Sequence, residues 1–125
     1  MKKLLFLLLF IHLFSFGQKD DFEEISYFFT YEAEFIENPK KSYEFENNGL
    51  IKFFRFKDQS AAILDLNKSI ELNPNPKDGT IFFIRGLIKK SLNIKSFCND
   101  WKKSADLEHS NAKKNFRDNC NTKSL

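Results

Sequence analysis

Histidine is almost missing from this chain: there are two, and His12 lies inside an N-terminal apolar run, leaving only His109 beyond it. The cysteines also number two, Cys98 and Cys120, and they are too far apart in sequence for a Cys-x-x-Cys redox pair. Two cysteines with one histidine do not make a zinc site. The four glycines form no Gly-rich loop behind a strand, so nothing here would cradle a phosphate. Asp100 and Glu71 have no sequence neighbour that would tune a carboxylate pair, and His109 sits at a polar helix junction where a solvated or capping side chain is expected. The reading is therefore of a non-enzyme, with no catalytic residue, no metal site and no cofactor to nominate. Strand alternation is missing as well, and β-branched residues other than isoleucine are few, which makes the expected class all-α.

A sustained basic block is likewise absent. The formal charge is +3, but Lys2 and Lys3 contribute to it from the extreme N-terminus. They precede a run of 13 mostly apolar residues, 4–16, and then Ser15 and Gly17 place small residues where a signal peptidase reads. A membrane span needs roughly 20 apolar residues, so residues 1–17 read as a secretory signal peptide. No cysteine follows the run, which argues against a lipoprotein. Removing residues 1–17 leaves eighteen basic residues against seventeen acidic ones. Such a chain has no electrostatic footprint for nucleic acid. We expect an exported protein, periplasmic or secreted, with no stable membrane span after cleavage.

What is present is helical periodicity. Phe22, Ile25, Phe29, Ala33 and Ile36 recur at steps of three and four and predict a leading helix over 20–37, stopped by Asn38-Pro39. Further helices are predicted over 40–56, with Gly49 inside the pattern, and over 59–72, capped by Asp58 and stopped by Asn73-Pro74-Asn75-Pro76. Asp78 caps a fourth, which contains Gly86 and turns at Asn93; a fifth covers 95–107, and Ser110 caps a short last one to 119. Trp101 is expected to pack against that last helix. The sixteen phenylalanines suit an aromatic binding surface, or simply phenylalanine standing in for leucine and tyrosine, and the second is favoured.

The chain repeats itself. Pro39 and Pro74 lie 35 residues apart, Ala62 and Cys98 36, Ser69 and Ala105 36, Gly49 and Gly86 37, and Gly-Leu-Ile-Lys occurs at both 49–52 and 86–89. A period near 35 carried by helix pairs is that of a helical solenoid. On these residues the chain resembles the tetratricopeptide repeat family, most closely over 62–74, AILDLNKSIELNP, and its ending resembles Sel1-like repeats. The resemblance implies a short right-handed α-solenoid of helix-turn-helix repeats with flanking capping helices. Its parts are a leading helix of a degenerate repeat (18–39), repeats at 40–76 and 77–109, and a cap helix with tail (110–125). Repeat packing falls to Gly49, Ala62, Ser69, Pro74, Phe82, Gly86 and Ala105.

The resemblance also implies a concave groove lined by the first helix of each repeat, here Glu46, Leu50, Phe53, Phe83, Leu87 and Lys90. The family's carboxylate clamp is missing, because Glu46, Leu50, Phe83 and Leu87 stand where it needs Lys, Arg or Asn. The implied function is a protein–protein interaction module of the bacterial cell envelope that binds a peptide or protein. Alternatives are an assembly subunit that self-associates or stacks on another solenoid and, less favoured, an envelope enzyme. Cys98 opens the fifth helix and Cys120 follows the sixth, so a structural disulfide is favoured in an oxidising compartment over buried free thiols or a redox thiol.

Overall fold

A computed structural model describes residues 21–120, so the signal-peptide reading and the tail at 121–125 lie outside the described residues. Every regular element among them is helical. Helix α1 (Asp21–Tyr27) widens into a π-helical turn (Phe28–Glu32), and α2 (Ser42–Phe54), α3 (Gln59–Leu72), α4 (Thr80–Ser91), α5 (Phe97–Asp106) and α6 (Ser110–Asn119) follow. None of these is long and apolar enough to cross a membrane.

Local chemistry explains where the helices begin. The Glu44 carboxylate reaches back to accept from the N–H groups of Lys40 and Lys41, and those two bonds hold its pKa below the usual range. Asp58 accepts from the Ala61 N–H at 3.0 Å and Asp78 from the Thr80 N–H at 2.9 Å, each filling a donor that the helix start leaves open. At α6 the cap is His109 and not the expected Ser110, which is already the first helical residue: the Nδ1 of His109 accepts from the Ala112 N–H. Lys57, Asn93 and Glu108 adopt left-handed backbone at φ 55°, 60° and 67° in the turns after α2, α4 and α5.

The leading helix differs from the sequence expectation. It does not run to the proline: after the π turn the chain is extended at Ala33, and α2 begins only at Ser42. The reason lies on α2 and its C-cap residue Arg55, whose side chains take over the main-chain groups that a longer helix would satisfy internally. Arg55 donates to the carbonyls of Thr30 and Ala33 at 2.8 and 2.7 Å, and Asn47 donates to that of Glu34 at 2.8 Å. Asn48, itself buried, bonds both the N–H and the C=O of Ile36.

The helix pairs α2/α3 and α4/α5 share one plan. Ser42, opening α2, donates to the Ser69 carbonyl near the end of α3 at 2.8 Å, while Ser104 near the end of α5 donates to the Gly79 carbonyl just before α4 at 2.7 Å. The members of each pair therefore run antiparallel. A glycine lies at each crossing, where a Cβ on Gly49 would stand 2.7 Å from Leu66 and one on Gly86 would stand 2.4 Å from Trp101. Leu66 and Trp101 are 35 residues apart, as are Ser69 and Ser104. The buried counterpart of Ser69 is thus Ser104, with Ala105 only half-buried beside it.

One core runs through both pairs: Leu50, Phe54, Ala62, Leu66, Ile81, Phe82, Phe83, Ile84, Ile88 and Trp101, joined by Ala112 of α6. Pro74 lies outside it, exposed in the turn after α3. Trp101 packs on Gly86 of α4 and donates to the Phe83 carbonyl. Cys98 and Cys120 are bridged, with Cα atoms 5.7 Å apart, so the start of α5 is tied to the end of α6.

Candidate functional site

The expected groove is largely closed by the chain itself. Leu50 and Phe83 are only 2% and 4% exposed. Across this face Phe22 of α1 sets its ring edge-on to Phe54 and Phe83, at 5.6 and 5.9 Å between centres, and Phe29 stacks over Phe54. Phe53 and Leu87 are half-buried against the same core. Lys90 serves a different place, with its ammonium donating to the Asn119 side chain and standing over the Trp101 ring. The six residues are not gathered into one open surface. The apolar face that would hold a foreign peptide already holds α1.

What stays open lies next to it. A cleft of about 540 Å³ runs between α1, the start of α4 and the α5–α6 junction. Ile25, Phe28, Phe29 and Leu107 give it apolar lining, and Glu24, Asp78 and Glu108 bring carboxylates to it. His109 also lines it, its ring stacked on Phe83 with centres 4.6 Å apart. Cap and stack fix that ring: Nδ1 can accept from Ala112 only while it carries no proton.

Glu46 of α2 belongs to this neighbourhood through Asp78. Burial, and then the negative charge of Asp78, push its pKa from 4.5 up to about 7. Among the described residues its carboxyl group has no hydrogen-bond or ion-pair partner. Asp78 stays engaged with the Thr80 N–H, and Glu108 pairs with Lys113.

A second charged cluster lies inside the fold. Asp100, 2% exposed, accepts two bonds from the Arg85 guanidinium at 2.8 and 2.7 Å and pairs with Lys89 at 3.0 Å. Arg85 also donates to Asn67, which fastens α4 to α3. Sequence alone had given Asp100 no partner, because both cations lie on the facing helix. The cluster closes on itself and offers no ligand position.

The sequence reading missed the cleft and the Asn47–Asn48–Arg55 grip. A signal for the grip was there: Asn48 precedes Gly49 at a buried phase of α2, where a polar side chain needs a partner. Both cysteines are bridged, and among the described residues no group of three His, Cys, Asp or Glu is placed to hold a metal ion. No protein-family model, no curated protein and no solved structure matches the chain.

Proposed function

We propose that this chain is a non-catalytic protein–protein interaction module of the bacterial cell envelope. In this reading it is a short right-handed α-solenoid of the tetratricopeptide-like kind that binds a peptide or protein. One observation carries it: α2 already holds a helical-then-extended segment, using side chains that address main-chain groups at Thr30, Ala33, Glu34 and Ile36. Main-chain bonding of this kind is largely indifferent to the sequence being held, and pockets for side chains supply the selectivity. The cleft is a separate open surface, lined by Glu24 to Phe29 on the chain just before the held segment. The Cys98–Cys120 bridge suits an oxidising compartment outside the cytoplasm. Affinity capture from the native cell envelope, with the protein as bait, should recover a distinct protein. Recovery of the bait alone would count against the reading.

A second reading, self-association, is favoured by a separate observation. Tyr27 and Tyr31 meet with tilted rings 4.9 Å between centres, and Phe35 packs on Phe56, with all four side chains exposed. Exposed aromatic patches are enriched where chains meet. Light scattering behind size exclusion decides it: a dimer that Tyr31→Ser and Phe35→Ser dissolve supports self-association, and a monomer at high concentration removes it.

A further inference from the structure

We infer that the cleft between α1, the start of α4 and the α5–α6 junction takes a peptide segment in which a lysine or arginine neighbours an apolar side chain. This rests on the interaction-module reading and names the partner's chemistry.

Charge complementarity selects the occupant. Glu24, Asp78 and Glu108 line the cleft, and Glu46 lies close enough to Asp78 to feel its charge. Lys113 offsets Glu108 alone. Glu24 and Asp78 have no ion-pair partner among the described residues, and burial together with the Asp78 charge disfavours the charged form of Glu46. A cation seated beside them turns that repulsion into attraction, whereas an acidic segment adds to it.

The apolar lining selects the rest. Ile25, Phe28, Phe29 and Leu107 present surface to the same cleft, and Phe28 is 41% exposed. Lysine and arginine lay their methylene stems along such surface while the head stays with the carboxylates. The residues of α1 and its π turn that line the cleft run from Glu24 to Phe29. At about 1.5 Å of rise per residue, that is more than one helical turn, enough for neighbouring side chains rather than a lone amine. The volume, about 540 Å³, lies within the usual range of binding clefts.

The test is a fluorescence-anisotropy titration of the disulfide-intact protein with a short labelled peptide alternating lysine with leucine. The same peptide carrying glutamate in place of lysine is the comparison. The lysine peptide should bind and the glutamate peptide should not. Combining Glu46→Gln with Asp78→Asn, which keeps an acceptor for the Thr80 N–H, should weaken binding by about tenfold or more. Leu107→Ser should weaken it independently. Equal binding of both peptides, or lysine-peptide binding untouched by the double variant, overturns the inference and leaves the interaction-module reading standing. Binding of neither peptide by a protein that still captures an envelope partner does the same. Binding of neither, with nothing captured, brings both down.

Discussion

Asn48 holds Ile36 by both of its main-chain groups, accepting from the N–H at 2.9 Å and donating to the C=O at 2.7 Å. A side-chain amide has one acceptor and one donor face, so a single residue replaces the two backbone bonds that Ile36 would make in a longer helix. Asn48→Ala removes both partners at once. Destabilisation of about 2–3 kcal/mol is expected, since each group left without a partner costs about 1–3 kcal/mol. Urea denaturation measures it, and a loss near zero would mean that water substitutes freely. Asn48→Asp keeps the acceptor but buries a charge against the Ile36 carbonyl oxygen, so it should cost at least as much as alanine.

Asp100 should be among the most sensitive positions. Asp100→Asn leaves Arg85 and Lys89, each only 14% exposed, facing one another without the anion. Removing one member of a buried ion pair costs about 3–5 kcal/mol. Thermal unfolding should show the drop, and Lys89→Met should recover part of it in the double variant by removing one of the stranded cations.

The two glycines should rank. Gly86→Ala drives a methyl group into the Trp101 ring, and Gly49→Ala drives one against the end of Leu66. A leucine terminus can swing aside and a packed indole cannot. We expect Gly86→Ala to lose about 1–3 kcal/mol to overpacking, and Gly49→Ala to lose less because alanine regains about 1 kcal/mol of helix propensity. The reverse order in Tm would show that α5 shifts more easily than α3.

Glu46 gives stability a pH dependence of definite sign. Its pKa is raised on folding from 4.5 to about 7, so the native state holds a proton that the unfolded chain has released. Stability from this group is therefore full below pH 4.5 and is lost as pH rises through about 7. At about 1.4 kcal/mol per pH unit the loss approaches about 3 kcal/mol. Glu46→Gln should flatten that slope and leave the protein more stable than wild type at pH 8. Equal slopes in wild type and variant would assign the burial to a different group.

Reduction should matter in proportion to the loop it opens. Cys98 and Cys120 are separated by 22 residues, and closing a loop of that order contributes about 3 kcal/mol in the chain-entropy account. Cys98→Ser with Cys120→Ser should lower Tm, with α6 the first element to exchange its amide hydrogens. Intact mass should show the native protein lighter than its reduced form by the two hydrogens of one bridge.

From α2 onward the helices are legible in local chemistry. Asp58 ahead of an apolar period and Asn73-Pro74 behind it bound α3 without reference to anything distant, and the observed limits are those expected. Gly49 and Gly86 announce themselves by sitting inside helical patterns. What could not be read is whatever depends on a residue far along the chain. The end of α1 is decided by Asn48 and Arg55, which lie 12 and up to 25 positions away from the groups they bind. Periodicity through Ala33 and Ile36 mimics a helix there because both residues face inward, although along an extended path. The groove misled for the same reason: Leu50 and Phe83 occupy the right face, and only the folded chain shows α1 lying across it. Asp100 reads as a solvated acid until α4 is set opposite.

The cap at α6 has a consequence for how this chain can meet another. Ala112 seals the inner side of that helix, the bridge pins its end, and Lys113, Lys114, Arg117, Asp118 and Asn119 face solvent. The outer face of that helix is charged and its end is tethered. On α1 and the segment after it, by contrast, the aromatic side chains of Tyr27, Tyr31 and Phe35 are exposed. Contact with another chain is therefore expected at those rings rather than on the outer face of α6.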